Sequence, residues 1–293
     1  MFAIENYYET ASLHESLKLL ASNPQLKIIA GGTDVLVKLQ HQHQSISLLS
    51  IRNITSLEGI VKQDDGSIEI GPLTTFTQIS RSPLIQEILP SLAEAAVSMG
   101  GPQIRNIATI GGNLCNGATS ADSASTLFAL NARLGLQTLK GTREISIQDF
   151  YLGPGKVDLK PGELLTSIRI RTEDYSGFGG HYIKFAMRKA MDIATLGVSV
   201  LCKLRDERTF EEIRIGLGVA GPTPLRCEMA EEYAVGKEVS LSTLAKIGKL
   251  TVNSAKARTS WRASKEYREH LVKELTQRAL VVAIERAGGG DIA

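Results

Sequence analysis

Two short segments constrain this chain more than any other feature: Ile28-Ile29-Ala30-Gly31-Gly32-Thr33-Asp34 and Ala108-Thr109-Ile110-Gly111-Gly112-Asn113. In each, a β-branched stretch stops at two glycines that a polar side chain follows. Missing side chains let successive backbone N–H groups approach and cradle an anion such as a diphosphate. An ordinary strand-end turn has the same composition. Two such loops in one chain resemble opposite walls of a diphosphate cleft, and the first lacks the Lys-Ser/Thr of a P-loop. A third pattern, Gly216-Leu217-Gly218-Val219-Ala220-Gly221, matches G-x-G-x-x-G literally. Pro222 and Pro224 deny it the helix that a dinucleotide fingerprint opens, so it reads as a glycine-rich strand turning at Gly221-Pro222.

The hydrophobic pattern around these loops is β-rich with intervening helices. Leu13, Leu17 and Leu20 predict a helix ending at Asn23-Pro24, followed by strands at 26–30 and 46–51. GIVK and SIEI form a predicted hairpin across Gln63-Asp64-Asp65-Gly66. Residues 77–99 read as helix in two pieces divided near Pro83 and Pro90, and residues 104–114 as a strand interrupted by the second diglycine. A helix over 123–132, its start marked by Ser120 and Asp122, precedes strands LGLQTL, REISI and LLTSIRI. The glycine-dense SGFGG at 176–180 is the expected boundary between a domain of residues 1–176, in parts of about 1–55 and 56–176, and one of 177–293. In the latter, three strand-like runs precede helices near 226–235, 241–257 and 264–287, the pattern of a small α+β unit with a three-stranded antiparallel sheet covered on one face. The terminal AGGGDIA is expected to fray.

With 293 residues the chain can bury roughly three quarters of its unfolded surface. At 43% hydrophobic and 22% charged residues it is neither disordered, collagen-like nor a coiled coil. A net charge of +2 demands neither nucleic acid nor an anionic membrane as partner, while leaving room for a local basic patch. No segment approaches the ~18 apolar residues of a membrane span, and MFAIENYYET lacks the features of a secretory signal, so the expectation is a cytoplasmic protein. Cys115, Cys202 and Cys227 are odd in number and far apart, which suits neither a disulfide framework nor a zinc or iron–sulfur site. His41 and His43 have no third ligand in view, so no metal site is expected. No Ser, His and Asp combination has a nucleophile-elbow context, and no catalytic side chain is predicted. Asp122 could cap the helix that follows it, and Lys184, between Ile183 and Phe185, could be a solvated strand lysine.

The combined set AGGTD (30–34), IGPLTTFTQI (70–79), GPQIRNIATIGGNLCNGATSADS (101–123) and YIKFAMRKAMDIA (182–194) resembles the FAD-binding subunits of molybdenum hydroxylases, most closely those of bacterial three-subunit xanthine dehydrogenases. GPGKV, GVAGPTPLRC and TSWRASKEYR extend the resemblance over essentially the whole chain. It implies a two-part FAD-binding fold of the vanillyl-alcohol-oxidase (PCMH) type, followed by the small C-terminal domain of the carbon monoxide dehydrogenase flavoproteins. Carried over by residue, Ile28, Ile29, Ala30, Gly31, Gly32, Thr33, Asp34 and Val35 would form the first FAD diphosphate loop, and Thr109, Ile110, Gly111, Gly112 and Asn113 the second. Asp122 would lie against the flavin half of the cofactor, Leu164 or Leu165 would pack on it, and Lys184 would reach it from the C-terminal domain. Met99 stands where eukaryotic relatives place an aromatic side chain on the flavin, and Met191 replaces an acidic residue of a mobile loop beside it. The resemblance further implies a molybdenum cofactor and 2Fe-2S clusters on partner subunits, with NAD as acceptor. Medium subunits of carbon monoxide, aldehyde or aromatic hydroxylases share the architecture, and a non-catalytic nucleotide-binding module is the remaining alternative.

Overall fold

The computed structural model describes residues 4–40, 45–290 and 292. The chain opens with β1 (Ile4–Glu9), α1 (Leu13–Ser22), β2 (Lys27–Ile29), α2 (Val35–Gln40) and β3 (Ile46–Ser50), whose strands form a parallel sheet in the order β1-β3-β2. Ser12 caps α1, and Leu17 and Leu20 bury against Leu26, Leu49 and Ile51. β1 was invisible to periodicity because all six of its residues are exposed, leaving no alternation to read.

The second unit begins with the expected hairpin, β4 (Ile60–Lys62) and β5 (Ile68–Ile70), and continues through α3 (Phe76–Arg81), α4 (Pro83–Ile88) and α5 (Pro90–Ser98). These are three helices rather than two pieces: Ser82 ends α3 and caps α4, and Pro90 starts α5 anew. The stretch expected as a strand at 104–114 is instead helical, as α6 (Pro102–Arg105) and α7 (Ile110–Cys115). Pro102 at the first turn and Thr109 as an N-cap override the β-branched isoleucines between them. Next come α8 (Ala124–Ala129), β6 (Arg133–Thr138), β7 (Gly141–Ser146), α9 (Ile147–Phe150), β8 (Tyr151–Gly153), β9 (Lys156–Val157) and β10 (Leu164–Ile170). β8 pairs with β9, and the main sheet is antiparallel in the order β4-β5-β10-β6-β7.

The third unit holds β11 (Gly179–Phe185), β12 (Leu196–Asp206), β13 (Thr209–Gly218) and β14 (Leu225–Arg226), then α10 (Glu228–Ala234), α11 (Leu241–Ser254) and α12 (Lys265–Arg286). Its antiparallel sheet has four strands, not three, because two residues after Pro224 pair with β13, too short a run to show a period. One face of this sheet packs on the helices through Val198, Val200, Ile213 and Ile215, side chains worth on the order of 1.5–3 kcal/mol each when fully buried. The other face is also covered. A Cβ on Gly216 would stand 2.0 Å from the Ser125 carbonyl oxygen in α8, and Gly218 also lies against Ser125. The G-x-G pattern of β13 is therefore small so that a helix backbone can lie on the sheet.

Among the described residues, no helix is long and apolar enough to cross a membrane and no group of three or more His, Cys, Asp or Glu could hold a metal ion. His41, His43, Asp291 and Ala293, on which the metal and tail expectations partly rest, lie outside the described residues.

Candidate functional site

The two diglycine loops meet. The first joins β2 to α2, with Ile29 buried beside Leu39 and Leu48, Ile28 and Ala30 packed toward the α1 core, and Val35 on the far side of the turn. Gly32 has φ +76°, a conformation that favours glycine. α2 starts with the Leu36 N–H donating to the Gly32 carbonyl, while the N–H groups of Gly31, Gly32, Thr33, Asp34 and Val35 have no intramolecular acceptor among the described residues. Gly31 lies directly on the backbone before the second loop: a Cβ there would be 1.9 Å from the Ile107 oxygen.

The second loop is built differently. Thr109 Oγ1 accepts from the Gly112 N–H at 3.1 Å, the Ile110 N–H donates to the Thr74 oxygen at 3.0 Å, and the Gly111 N–H donates to the Pro72 oxygen at 2.8 Å. Gly111 is required by packing, since its Cβ would stand 2.4 Å from Pro72 Cβ, whereas a Cβ on Gly112 would meet only Thr109 Oγ1, at 3.0 Å. The N–H groups of Ile110, Gly111, Gly112 and Asn113 are thus engaged within the protein, whereas that of Thr109, like the five of the first loop, has no acceptor among the described residues. A cleft of about 380 Å³ adjoins the junction, lined in part by Ala30, Gly31, Arg52, Gln78, Ile107 and Thr109. Asn113 Oδ1 accepts from Ser123 Oγ at 2.8 Å, which ties this loop to the start of α8.

Beside that tie lies a buried ion pair. Lys184 Nζ sits 2.9 Å from Asp122 Oδ2 and donates to the Ser98 oxygen at 3.1 Å, the lysine and aspartate side chains being only 10% and 9% exposed. Asp122 Oδ1 is buried without a partner. Lys184 is therefore no solvated strand residue, and Ser123, not Asp122, occupies the N-cap of α8, where no side-chain cap bond forms. Burial pushes the Asp122 carboxyl up to about 6 against the pull of Lys184. Met99, buried, follows Ser98 at the end of α5; Leu165 belongs to the core of the second unit and Leu164 to that of the first.

A pH dependence follows. Because Asp122 holds its proton more tightly folded than unfolded, its contribution makes stability fall as pH rises from about 4 to about 6 and level off beyond. The stability of the native chain relative to Asp122→Asn, measured by denaturant unfolding, should drop by ~3 kcal/mol across that window at 1.36 kcal/mol per pH unit. A difference independent of pH there would refute the assignment.

Three further groups complete the site. The Tyr182 hydroxyl lies beside Asp122. Glu94 on α5 accepts from the Tyr182 N–H at 2.8 Å and from Arg286 at 2.7 Å, and lies 2.9 Å from His181 Nδ1, fastening β11 between α5 and α12. Burial raises the Glu94 carboxyl, but these bonds together hold it below the usual range. The alternation in HYIKF could have found Tyr182, which shares a strand face with Lys184; Glu94 carried no such signal. After β11 the chain turns back with Met191 at φ +53°, its N–H donating to the Gly100 oxygen at 3.1 Å, while Asp192 accepts from the Arg188 N–H at 2.9 Å.

Residues 2–172 match a family described as the FAD binding domain in molybdopterin dehydrogenase, and residues 181–283 match the CO dehydrogenase flavoprotein C-terminal domain. The chain is 44% identical over 290 residues to the putative xanthine dehydrogenase FAD-binding subunit of Escherichia coli K12, covering 99% of both chains. It is 30% identical over 267 residues to the nicotinate dehydrogenase FAD-subunit of Eubacterium barkeri, covering 90% of each. Among solved structures it matches a carbon monoxide dehydrogenase chain from Hydrogenophaga pseudoflava with a TM-score of 0.91 at 28% identity, covering 98% of this chain and 99% of that one.

Proposed function

The chain belongs to the FAD-binding subunits of the molybdopterin dehydrogenases, and from that premise we propose that it is the electron-transfer subunit of a xanthine dehydrogenase, passing electrons from 2Fe-2S clusters through FAD to NAD. The molybdenum cofactor and the clusters reside on partner subunits. The 44% identity to a putative xanthine dehydrogenase subunit, against 30% to the nicotinate relative, supports the purine substrate. The observation that carries the cofactor reading is Asp122 Oδ1, buried and without a hydrogen bond among the described residues although the Tyr182 hydroxyl lies beside the carboxyl, joined through Ser123 and Asn113 to a loop system in which five successive N–H groups have no acceptor among those residues. Buried polar atoms are almost always paired, and a cofactor group in the site would supply the missing donor.

These residues fit FAD. The first loop would hold its diphosphate through the N–H groups of Gly31 to Val35, and Asp122 would accept from the flavin half. Lys184 compensates the Asp122 charge so that the carboxylate persists in a dry site, while Met99 and Leu165 exclude water. FAD, when bound, supplies the exchange of electrons between carriers; the protein's part is binding, orientation and electrostatics. No side chain of this chain need move a proton.

The test is the visible spectrum of the purified chain after FAD is added and the excess removed, followed by anaerobic titration with NADH. A retained flavin spectrum that bleaches with NADH is the expected result. Gly32→Ala should lower flavin retention by roughly tenfold through strain of about 1 kcal/mol or more at φ +76°. Gly112→Ala should do less, since its N–H is already bonded to Thr109. Equal flavin content in Gly32→Ala and the native chain would remove the first loop from the site. A folded chain that takes up no flavin, alone or co-expressed with its partners, would leave the non-catalytic module.

A further inference from the structure

The segment from the end of α11 into the first turn of α12 concentrates positive charge that few carboxylates among the described residues balance. Residues 255–268 carry Lys256, Arg258, Arg262, Lys265 and Arg268 against one carboxylate, Glu266. Glu266 is engaged by Ser264 and its own backbone at the start of α12, and Lys265 faces Glu269 at 3.7 Å. Among the described residues, Arg258, Arg262 and Arg268 have no carboxylate partner, and the charges nearest Arg268 are the other two arginines. The N-terminus of the 22-residue α12, the end where cations are unfavourable, enters the same place.

The buried member makes the imbalance specific. Arg268 is 4% exposed; its guanidinium donates to the Thr195 oxygen and, at 2.9 Å, to Ser260 Oγ, yet its Nε has no partner. The Nε of Arg262 is likewise buried and partnerless. Trp261, next to Arg262 in the chain, is 77% exposed, with the Arg262 guanidinium 4.2 Å from its ring centroid. Arginines without a carboxylate partner among the described residues, next to an open aromatic face, suit a phosphate-bearing ligand with a planar base.

Backbone hydrogen bonds and one ring contact join the cluster to the segments that carry Lys184 and Asp122. The Thr195 N–H donates to the oxygen of Phe185, the residue after Lys184, and the Tyr267 ring meets the Phe185 ring edge-on at 6.3 Å. Val219, held at φ +64°, accepts from Arg268 at 3.5 Å and donates to the Thr119 oxygen, three residues before Asp122. We propose that Trp261, Arg258 and Arg262 form the docking site of the nicotinamide dinucleotide acceptor, the two arginines taking its diphosphate and the indole stacking on its base, while the buried Arg268 holds the segment in place through Thr195 and Ser260. The proposal rests on the reading of NAD as acceptor. An acidic segment of a partner subunit would meet the same charge, but the place beside Lys184 and Asp122 favours the small molecule that must reach the flavin.

Trp261 is the only tryptophan of the chain, so its emission reports this site directly. The flavin-loaded full chain is titrated with NAD, ADP-ribose and inorganic diphosphate. Saturable changes in emission are expected with all three, and Arg258→Ala and Arg262→Ala should each weaken ADP-ribose binding roughly tenfold, the loss of one charge-assisted hydrogen bond. Both side chains reach the surface, and thermal unfolding confirms that the variants remain folded. An emission that ignores all three ligands, that changes only on assembly with partner subunits, or that gives unaltered affinity in both variants overturns the proposal. Flavin absorbance of the same sample separates the two readings: no bound flavin defeats the proposed function, whereas bound flavin with a silent Trp261 defeats only this site.

Discussion

Gly31→Ala is expected to yield a chain that loses its flavin on desalting and unfolds at markedly lower denaturant concentration. The new methyl would stand 1.9 Å from the Ile107 oxygen, 2.7 Å from its carbonyl carbon and 3.2 Å from Ala108 Cα. All three are backbone atoms, so no rotamer change makes room. The segment they belong to is pinned on its other side, where the Ala108 oxygen accepts from the Phe76 N–H at 3.2 Å and Ala108 itself is buried. The two loops must separate, and forcing extra volume into such packing costs ~1–3 kcal/mol or more. Gly32 offers the contrast, since a methyl there would meet only the side chains of Ile29 and Leu36, at 3.2 Å. Flavin absorbance per chain and urea unfolding measure both effects. Native flavin content in Gly31→Ala would show that the apposition of the loops is irrelevant to binding.

Lys184→Met should be the most destabilising single change at the site, and its cost should depend on pH. Removing one member of a buried pair costs ~3–5 kcal/mol because the other is left as an uncompensated charge. Here the remaining carboxylate can escape by keeping its proton. With Lys184 gone, burial acts on Asp122 opposed only by the Tyr182 hydroxyl and raises its pKa beyond about 6, so the stability that the group takes away as pH rises is lost over a wider window. Urea unfolding should therefore show a deficit that is small at about pH 5 and grows toward pH 8. The double change Lys184→Met with Asp122→Asn should recover most of the loss, since it leaves no buried charge. A deficit of the same size at both pH values, unrelieved in the double variant, would mean that lost packing and not charge is responsible.

What could be read from the sequence divides along a physical line. Elements with their own periodicity or punctuation were legible: the hairpin through Asp65-Gly66, the Leu13–Ser22 helix, the long strands Leu196–Asp206 and Thr209–Gly218. Elements defined by a cap or a neighbour were not. The isoleucines at 104, 107 and 110 look like a strand until Thr109 is recognised as a helix cap, and Leu225–Arg226 is a strand only because β13 lies beside it. The same holds for the site. The diglycines were visible as a pair, but not that Gly31 and Gly111 are small for packing while most of the N–H groups without an acceptor among the described residues lie in the first loop. Asp122 and Lys184 entered through family resemblance; their ion pair spans 62 positions and exists only in three dimensions. The arginines around Trp261 disappear in a net charge of +2 and are conspicuous only once their lack of carboxylates is mapped.

The sheet of β11 to β14 is roofed on one side by its own helices and on the other by α8, with glycine at 197, 216 and 218 and serine at 199 on the shared face. The seam along the chain and the seam in space therefore do not coincide. A chimaera that grafts residues 179–293 onto the front of another relative would bring the Lys184 wall of the candidate site but leave behind the helix for which that wall was shaped. Shuffling of such halves, by recombination or by design, is limited to donors that carry equally small residues along this face, so the tail half of the subunit is inherited as lining and not as an interchangeable module.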